Sequence, residues 1–381
     1  TGVFAMKYLK LISAIVLFIA VFTGLVSAEG ERDSLYTEQY EMSGADSLSD
    51  ALPDDTRHYF EENGIDPADY SWVSVISADN VFSHIWGFLK SGAKAPLKAG
   101  AEVTALILIA AALSAAQLKG GSINAALYVA AAAAAGVIAV PVLSSVSAAA
   151  NALKGISTFM LSFIPVFAVI TAASGAAATS ASMSALLLTA AQGVSYISSF
   201  VIMPLMGGYM AVSISGSVSP LLKKSGIAVM IKRLALWITA FVSAVFVGIL
   251  SIQTAVNASA DTLTAKAAKF IIGSSVPVAG GVLSEALGTV TASMGLLKSS
   301  VGIYGAVACA GVILPLIAEL LVWRAVLFVT TAVSELFSLN VIAEILRAAD
   351  SVISTLIGIM LIAGAMFIIS LAIVVTAGKT Q

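Results

Sequence analysis

The chain has 381 residues, 59% of them hydrophobic and 10% charged, with a formal net charge of −2. That balance excludes a basic nucleic-acid binder, and the lone Cys309 excludes a disulfide framework or a cysteine-based metal site. Charge is so sparse beyond residue 100 that the expected fold is all-α and polytopic, an integral membrane protein whose backbone polar groups are satisfied within helices.

Residues 1–28 have the anatomy of a signal peptide. Lys7 and Lys10 precede an apolar run, and Val26-Ser27-Ala28 offers small residues for cleavage. The mature chain is expected to begin near Glu29; an uncleaved anchor helix is the alternative. Residues 29–78 are acidic, with Arg32 and Arg57 as their basic residues and Asp54, Asp55, Glu61, Glu62, Asp66 and Asp69 clustered. So short and polar a stretch is expected to be extracytoplasmic and largely flexible.

Over residues 79–100, Val81, Ile85, Phe88 and Leu89 recur at helical spacing beside Trp86, and Lys90, Lys94 and Lys98 follow at four-residue intervals. This predicts an amphipathic interfacial helix. His58 and His84 have no metal-site spacing and read as solvated or interfacial side chains.

Membrane spans are expected at 103–118, 123–143, 186–212, 234–253, 301–321 and 351–375, each near the length that crosses the hydrocarbon. Two further apolar segments are interrupted, 158–183 by Pro165 and Gly175 and 270–294 by Pro277, Gly280 and Gly281. Each is a broken span or a re-entrant hairpin. Lys and Arg counted by side favour the hairpins, although neither version gives an inside excess.

The interrupted segments resemble each other. Ile164-Pro165-Val166 matches Val276-Pro277-Val278, Ala181-Ser182-Met183 matches Ala292-Ser293-Met294, and Ile202-Met203-Pro204-Leu205 is echoed by Ile313-Leu314-Pro315-Leu316. The order predicts a duplicated unit, with a first helical pair at 101–157 and membrane repeats at 158–253 and 254–381. Paired broken helices line the binding site of many secondary transporters; the alternative is that these residues merely kink packed helices.

No catalytic residue, metal or cofactor is expected, because the apolar region contains no His and no phosphate-cradling glycine loop. The chain reads as a non-enzyme, and any nucleotide hydrolysis would fall to a separate ATPase subunit. Glu319, five residues before Arg324, is a candidate pathway carboxylate; otherwise both side chains snorkel to water and orient their helix. Gly302, Ala306 and Ala310 form a small-residue packing face.

Gly248-Ile249-Leu250-Ser251-Ile252-Gln253, followed by Ala265-Lys266-Ala267-Ala268-Lys269-Phe270 and Val276-Pro277-Val278, resembles the stage III sporulation protein AE family, as does Ser162-Phe163-Ile164-Pro165-Val166. The resemblance implies a permease-like or scaffold component of a secretion-like channel between mother cell and forespore, in the mother-cell membrane. The implied partners are other stage III sporulation proteins and membrane lipid, with no nucleic acid. The motif positions carried over are Ser162, Pro165, Gln253, Lys266, Lys269 and Pro277. Lys266 and Lys269, one helical turn apart, would contact a neighbouring subunit or lipid headgroups. An autonomous secondary transporter and a purely structural assembly platform are the alternatives.

Overall fold

The computed structural model describes residues 33–68, 72, 78–115, 122–218, 226–275 and 280–376. The expected signal peptide and its cleavage site lie outside these residues, as does Pro277. Among the described residues the chain is all-α. Its helices are α1 (Asp33–Ser43), α2 (Asp54–Glu62), α3 (Ala78–Gly92), α4 (Lys94–Ala115), α5 (Ser122–Ala173), α6 (Ala177–Ile197), α7 (Met203–Val218), α8 (Gly226–Ser275), α9 (Gly280–Leu336) and α10 (Asn340–Thr376). Six stretches of these are long and apolar enough to cross a membrane, in α4, α5, α6 with α7, α8, α9 and α10.

Beyond Asp350 α10 carries no charge, and it sits inside, packed by α9, α8, α5 and α7. It folds back on α9 through a short turn in which Ser338 takes a left-handed conformation and the Leu339 N–H donates to the Ser334 carbonyl at 2.9 Å. α5 also runs antiparallel to α9, because Phe163 packs at Gly305 while Leu153, ten residues earlier, lies beside Ile359 of α10. A Cβ on Gly305 would stand 2.6 Å from the Phe163 ring, so only glycine admits this approach.

The break expected at Pro165 is not there. α5 continues through Pro141 and Pro165 to Ala173. Its 52 residues are about 78 Å of helix, far more than a bilayer requires. Pro165 costs the hydrogen bond to the Leu161 carbonyl, but its ring points outward, where no neighbouring helix is displaced. The chain turns instead at Gly175, whose φ is 93°. The Ala176 N–H donates to the Thr171 carbonyl at 3.2 Å, closing the six-residue ring of a glycine C-cap. Gly280 and Gly281 open α9 rather than interrupt a helix.

Residues 79–100 form parts of two helices, since α3 stops at Gly92 and α4 restarts at Lys94. Pro96 in the first turn of α4 lacks the N–H that would continue α3, and is tolerated at a helix start. The largest departure is the acidic segment, which is folded where it is described. Tyr36, Tyr40, Leu48, Leu52 and Phe60 are buried, and α1, α2 and the 3₁₀ turn Ala45–Leu48 pack on α9 and α5. A polar average conceals a few aromatics spaced to anchor on a neighbouring helix, which supplies the core this segment lacks.

Candidate functional site: an acidic platform and two polar helix junctions

The N-terminal platform is fastened to the first half of α9. The Tyr36 hydroxyl bridges the Pro67 carbonyl (3.1 Å) and the Ser300 hydroxyl (3.0 Å), and Ser293 donates to Gln39 Oε1 at 2.9 Å. Tyr304 of α9 lies nearly perpendicular to Phe60 and Trp72, with ring centroids 5.6 and 6.3 Å away. Such edge contacts add about 0.5–1.5 kcal/mol each beyond area burial.

Burial pushes the Tyr40 phenol well above its ordinary range, with Asp66 adding to the effect, so it remains a donor to the Ala45 carbonyl at 3.0 Å. Burial likewise pushes Tyr59 up to about 12, and its ring lies 5.3 Å from Phe88, tying the platform to α3. The outer side keeps Asp46, Asp50, Asp54, Asp55, Glu61 and Glu62 exposed.

A second polar assembly joins α8 to α6. Asp261 is buried, and its carboxylate accepts from the Ala178 N–H (2.7 Å), the Thr179 N–H (3.2 Å) and the Thr179 hydroxyl (2.5 Å). A side chain from one helix thus satisfies orphan donors at the start of another, where the dipole also favours negative charge. One turn before it, Asn257 donates to the Ser182 hydroxyl. A further turn back, Gln253 Oε1 is buried with no hydrogen-bond partner among the described residues. Gln253, Asn257 and Asp261 therefore share one face of α8.

The third assembly joins α8, α9 and α10. Arg324 Nε donates to Asp350 Oδ1 at 2.9 Å and Lys232 Nζ donates to Ser351 Oγ at 3.0 Å. Glu319 takes no part. Five residues turn a helix by about 140° past a full circle, so Arg324 faces α10 while Glu319 lies against Gly92, at the corner between α3 and α4. Arg347 pairs instead with Glu335 beside the α9–α10 turn.

The residues singled out from sequence are not gathered into one site. Ser162 and Pro165 are exposed on α5, Gln253 faces inward on α8, and Lys266 and Lys269 belong to the last turns of α8, beyond Asp261. Asp261, Asn257, Lys232 and Asp350 were not among them. The four-residue spacing from Gln253 to Asp261 could have drawn attention to that face, whereas the pairing of Arg324 with Asp350 depends on tertiary structure.

The sequence profile of the stage III sporulation protein AE family matches residues 73–378, which take in α3 to α10. The chain belongs to that family. Stage III sporulation protein AE of Bacillus subtilis (strain 168) is 29% identical over 161 residues, 42% of this chain and 40% of that protein. The aligned region is thus less than half of either. No solved structure matches. α1 and α2 precede the matched range.

Proposed function

We propose that this family member is a membrane subunit, permease-like or scaffold, of the transport or channel apparatus that links mother cell and forespore and supports forespore development. The family match over residues 73–378 carries the reading, and six apolar stretches able to cross a membrane agree with it. In this reading the chain lies in the mother-cell membrane around the forespore. Its signal peptide is cleaved and the acidic platform faces the extracytoplasmic side. Its partners are other stage III sporulation proteins and lipid, with ATP hydrolysis assigned to a separate subunit.

Expression of the chain in an endospore former lacking its own copy should restore heat-resistant spores, and other stage III proteins should copurify with it. A chain that inserts normally but restores no spores and purifies alone would overturn the proposal.

The duplicated unit motivates a second reading, an autonomous secondary transporter. Its support is the preserved order of sequence landmarks; the prolines themselves differ in setting, since Pro204 follows the π-helical turn Ser198–Ile202 that joins α6 to α7, whereas Pro315 lies inside the α-helix α9. Solute flux into liposomes containing only this chain would favour the transporter. A subunit that needs partners, or an assembly platform, should give none.

A further inference from the structure

Three cations meet where α8, α9 and α10 adjoin, and they outnumber the carboxylate between them. Lys232 Nζ donates to Ser351 Oγ at 3.0 Å and Arg324 Nε donates to Asp350 Oδ1 at 2.9 Å, so consecutive residues of α10 hold one cation from α8 and one from α9. Arg233 is exposed beside Lys232. Lys232 is half-buried, yet the other two N–H bonds of its ammonium find no acceptor among the described residues, and neither do the terminal nitrogens of Arg324. Charge and donors are both left over at this junction.

From Arg233 an apolar stripe continues along the same side of α8. Trp237, Phe241, Val245, Ile249, Ile252 and Val256 follow at intervals of three or four residues, and all are exposed. The Trp237 and Phe241 rings are stacked, with centroids 5.1 Å apart. From Trp237 to Val256 the stripe covers about 29 Å of helix, close to the hydrocarbon thickness of a bilayer. An indole at the end of such a stripe, one turn from a cation, has the placing of a side chain at headgroup depth. The acidic platform packs elsewhere, on α9 and α5.

The other cationic run, Lys90, Lys94 and Lys98, lacks this construction. Its lysines are all exposed, Lys90 lies over the Trp86 ring and Lys98 is 4.0 Å from Glu102.

We infer that the junction of α8, α9 and α10 binds the headgroup of an anionic phospholipid. The phosphate takes the unused donors of Lys232, Arg233 and Arg324, and the acyl chains lie along Trp237, Phe241 and Val245. Basic pockets between transmembrane helices hold acidic headgroups by this chemistry. The apolar stripe favours a lipid over a free phosphate, because it leads directly from the cations onto surface that hydrocarbon covers well. The inference deepens the membrane-subunit reading above by naming a class of lipid, and rests on it.

The test uses the full chain in phosphatidylcholine nanodiscs that hold a minor fraction of lipid with brominated acyl chains, and reads the quenching of tryptophan fluorescence. Trp86→Phe leaves Trp237 as the exposed indole, since Trp72 and Trp323 are buried. At equal fractions, brominated phosphatidylglycerol should quench at least fivefold more than brominated phosphatidylcholine. Lys232→Gln with Arg233→Gln should abolish the preference, because each cation removed weakens headgroup binding about fivefold. Arg233→Gln alone, at an exposed position where misfolding is no explanation, should already reduce it, whereas Lys94→Gln with Lys98→Gln should leave it intact. Equal quenching by the two lipids overturns the site, as does a preference that survives in the double variant. Loss of the preference in inorganic phosphate at constant ionic strength overturns the lipid as occupant in favour of a free anion. A chain without the preference that still restores spores would sink the site and spare the subunit reading, and a chain with it that restores none would do the reverse.

Discussion

α10 and α8 both contain a long charge-free run, yet 78% of the most apolar window of α10 is buried against 17% for α8. Their hydropathy alone does not separate them. What differs is the neighbourhood. α10 is hemmed in by α9, α5, α8 and α7, while α8 touches the bundle along one side and turns Trp237, Phe241, Val245 and Ile249 outward. A bilayer rewards apolar surface on either side of a helix, so in this protein protein–protein fit, more than hydrophobicity, decides which helix is central.

The largest effect should come where the α9–α10 hairpin meets the platform. Tyr304→Ala removes a fully buried ring that receives Phe60 and Trp72 and should cost about 3–5 kcal/mol. Limited proteolysis should then cut within residues 44–66 of the mutant and spare the wild type. Tyr304→Phe should keep nearly all the stability, because the hydroxyl has only a long 3.4 Å contact with Ser49. If the alanine variant remains protease-resistant, the platform is held by something other than this aromatic anchor.

Within the hairpin, Gly364→Leu should destabilise by about 1–3 kcal/mol in a denaturant titration in detergent. A Cβ there already falls 2.5 Å from Ile313 Cδ1. The same change on the outward side of α8, Gly248→Leu, meets no neighbouring atom within 4 Å of the new Cβ and should bring no loss above about 0.5 kcal/mol. Comparable losses at both positions would abolish the distinction between a central and a peripheral helix.

Sequence patterning conveyed the helical membrane class, because charge-free runs of bilayer length have few other uses in a folded chain. It did not convey where those runs join. Pro165 and Gly175 both look like breaks, but proline on an outward helix face is tolerated, whereas the left-handed backbone at Gly175 ends α5. Nor did it convey the platform, whose polar composition outweighs Tyr36, Tyr40 and Phe60 in any average although those rings fix its position. Glu319 and Arg324 are neighbours in sequence and face different helices, so the partner of Arg324 lay 26 residues away at Asp350.

Asp261 holds peripheral α8 to the start of α6. Asp261→Ala leaves two N–H groups and a hydroxyl of the first turn of α6 without their acceptor, and should cost about 1–2 kcal/mol, as other lost helix caps do. Asp261→Asn retains one acceptor oxygen and should lose less. Hydrogen exchange at Ala178 and Thr179 would rise first, ahead of global unfolding. Exchange that stays at the wild-type rate in the alanine variant would mean that the start of α6 has another acceptor.

The smallest effect is expected on the outward stripe of α8, and it bears most directly on the comparison. Ile249 is 42% exposed, while Ile353 of α10 is fully buried. Ile249→Ala should change stability by under about 0.5 kcal/mol, against about 2–5 kcal/mol for Ile353→Ala, which opens a cavity in the bundle. The reason is that lipid chains refill the volume Ile249 vacates, and the transfer of a few methylenes between side chain and acyl chain is nearly free. Packed protein cannot refill in that way. Measured in liposomes, where lipid is present, a loss above about 2 kcal/mol at Ile249 would show that another helix, rather than lipid, covers this flank. α8 would then be buried in the assembled protein, and its apparent exposure would belong to the isolated chain alone.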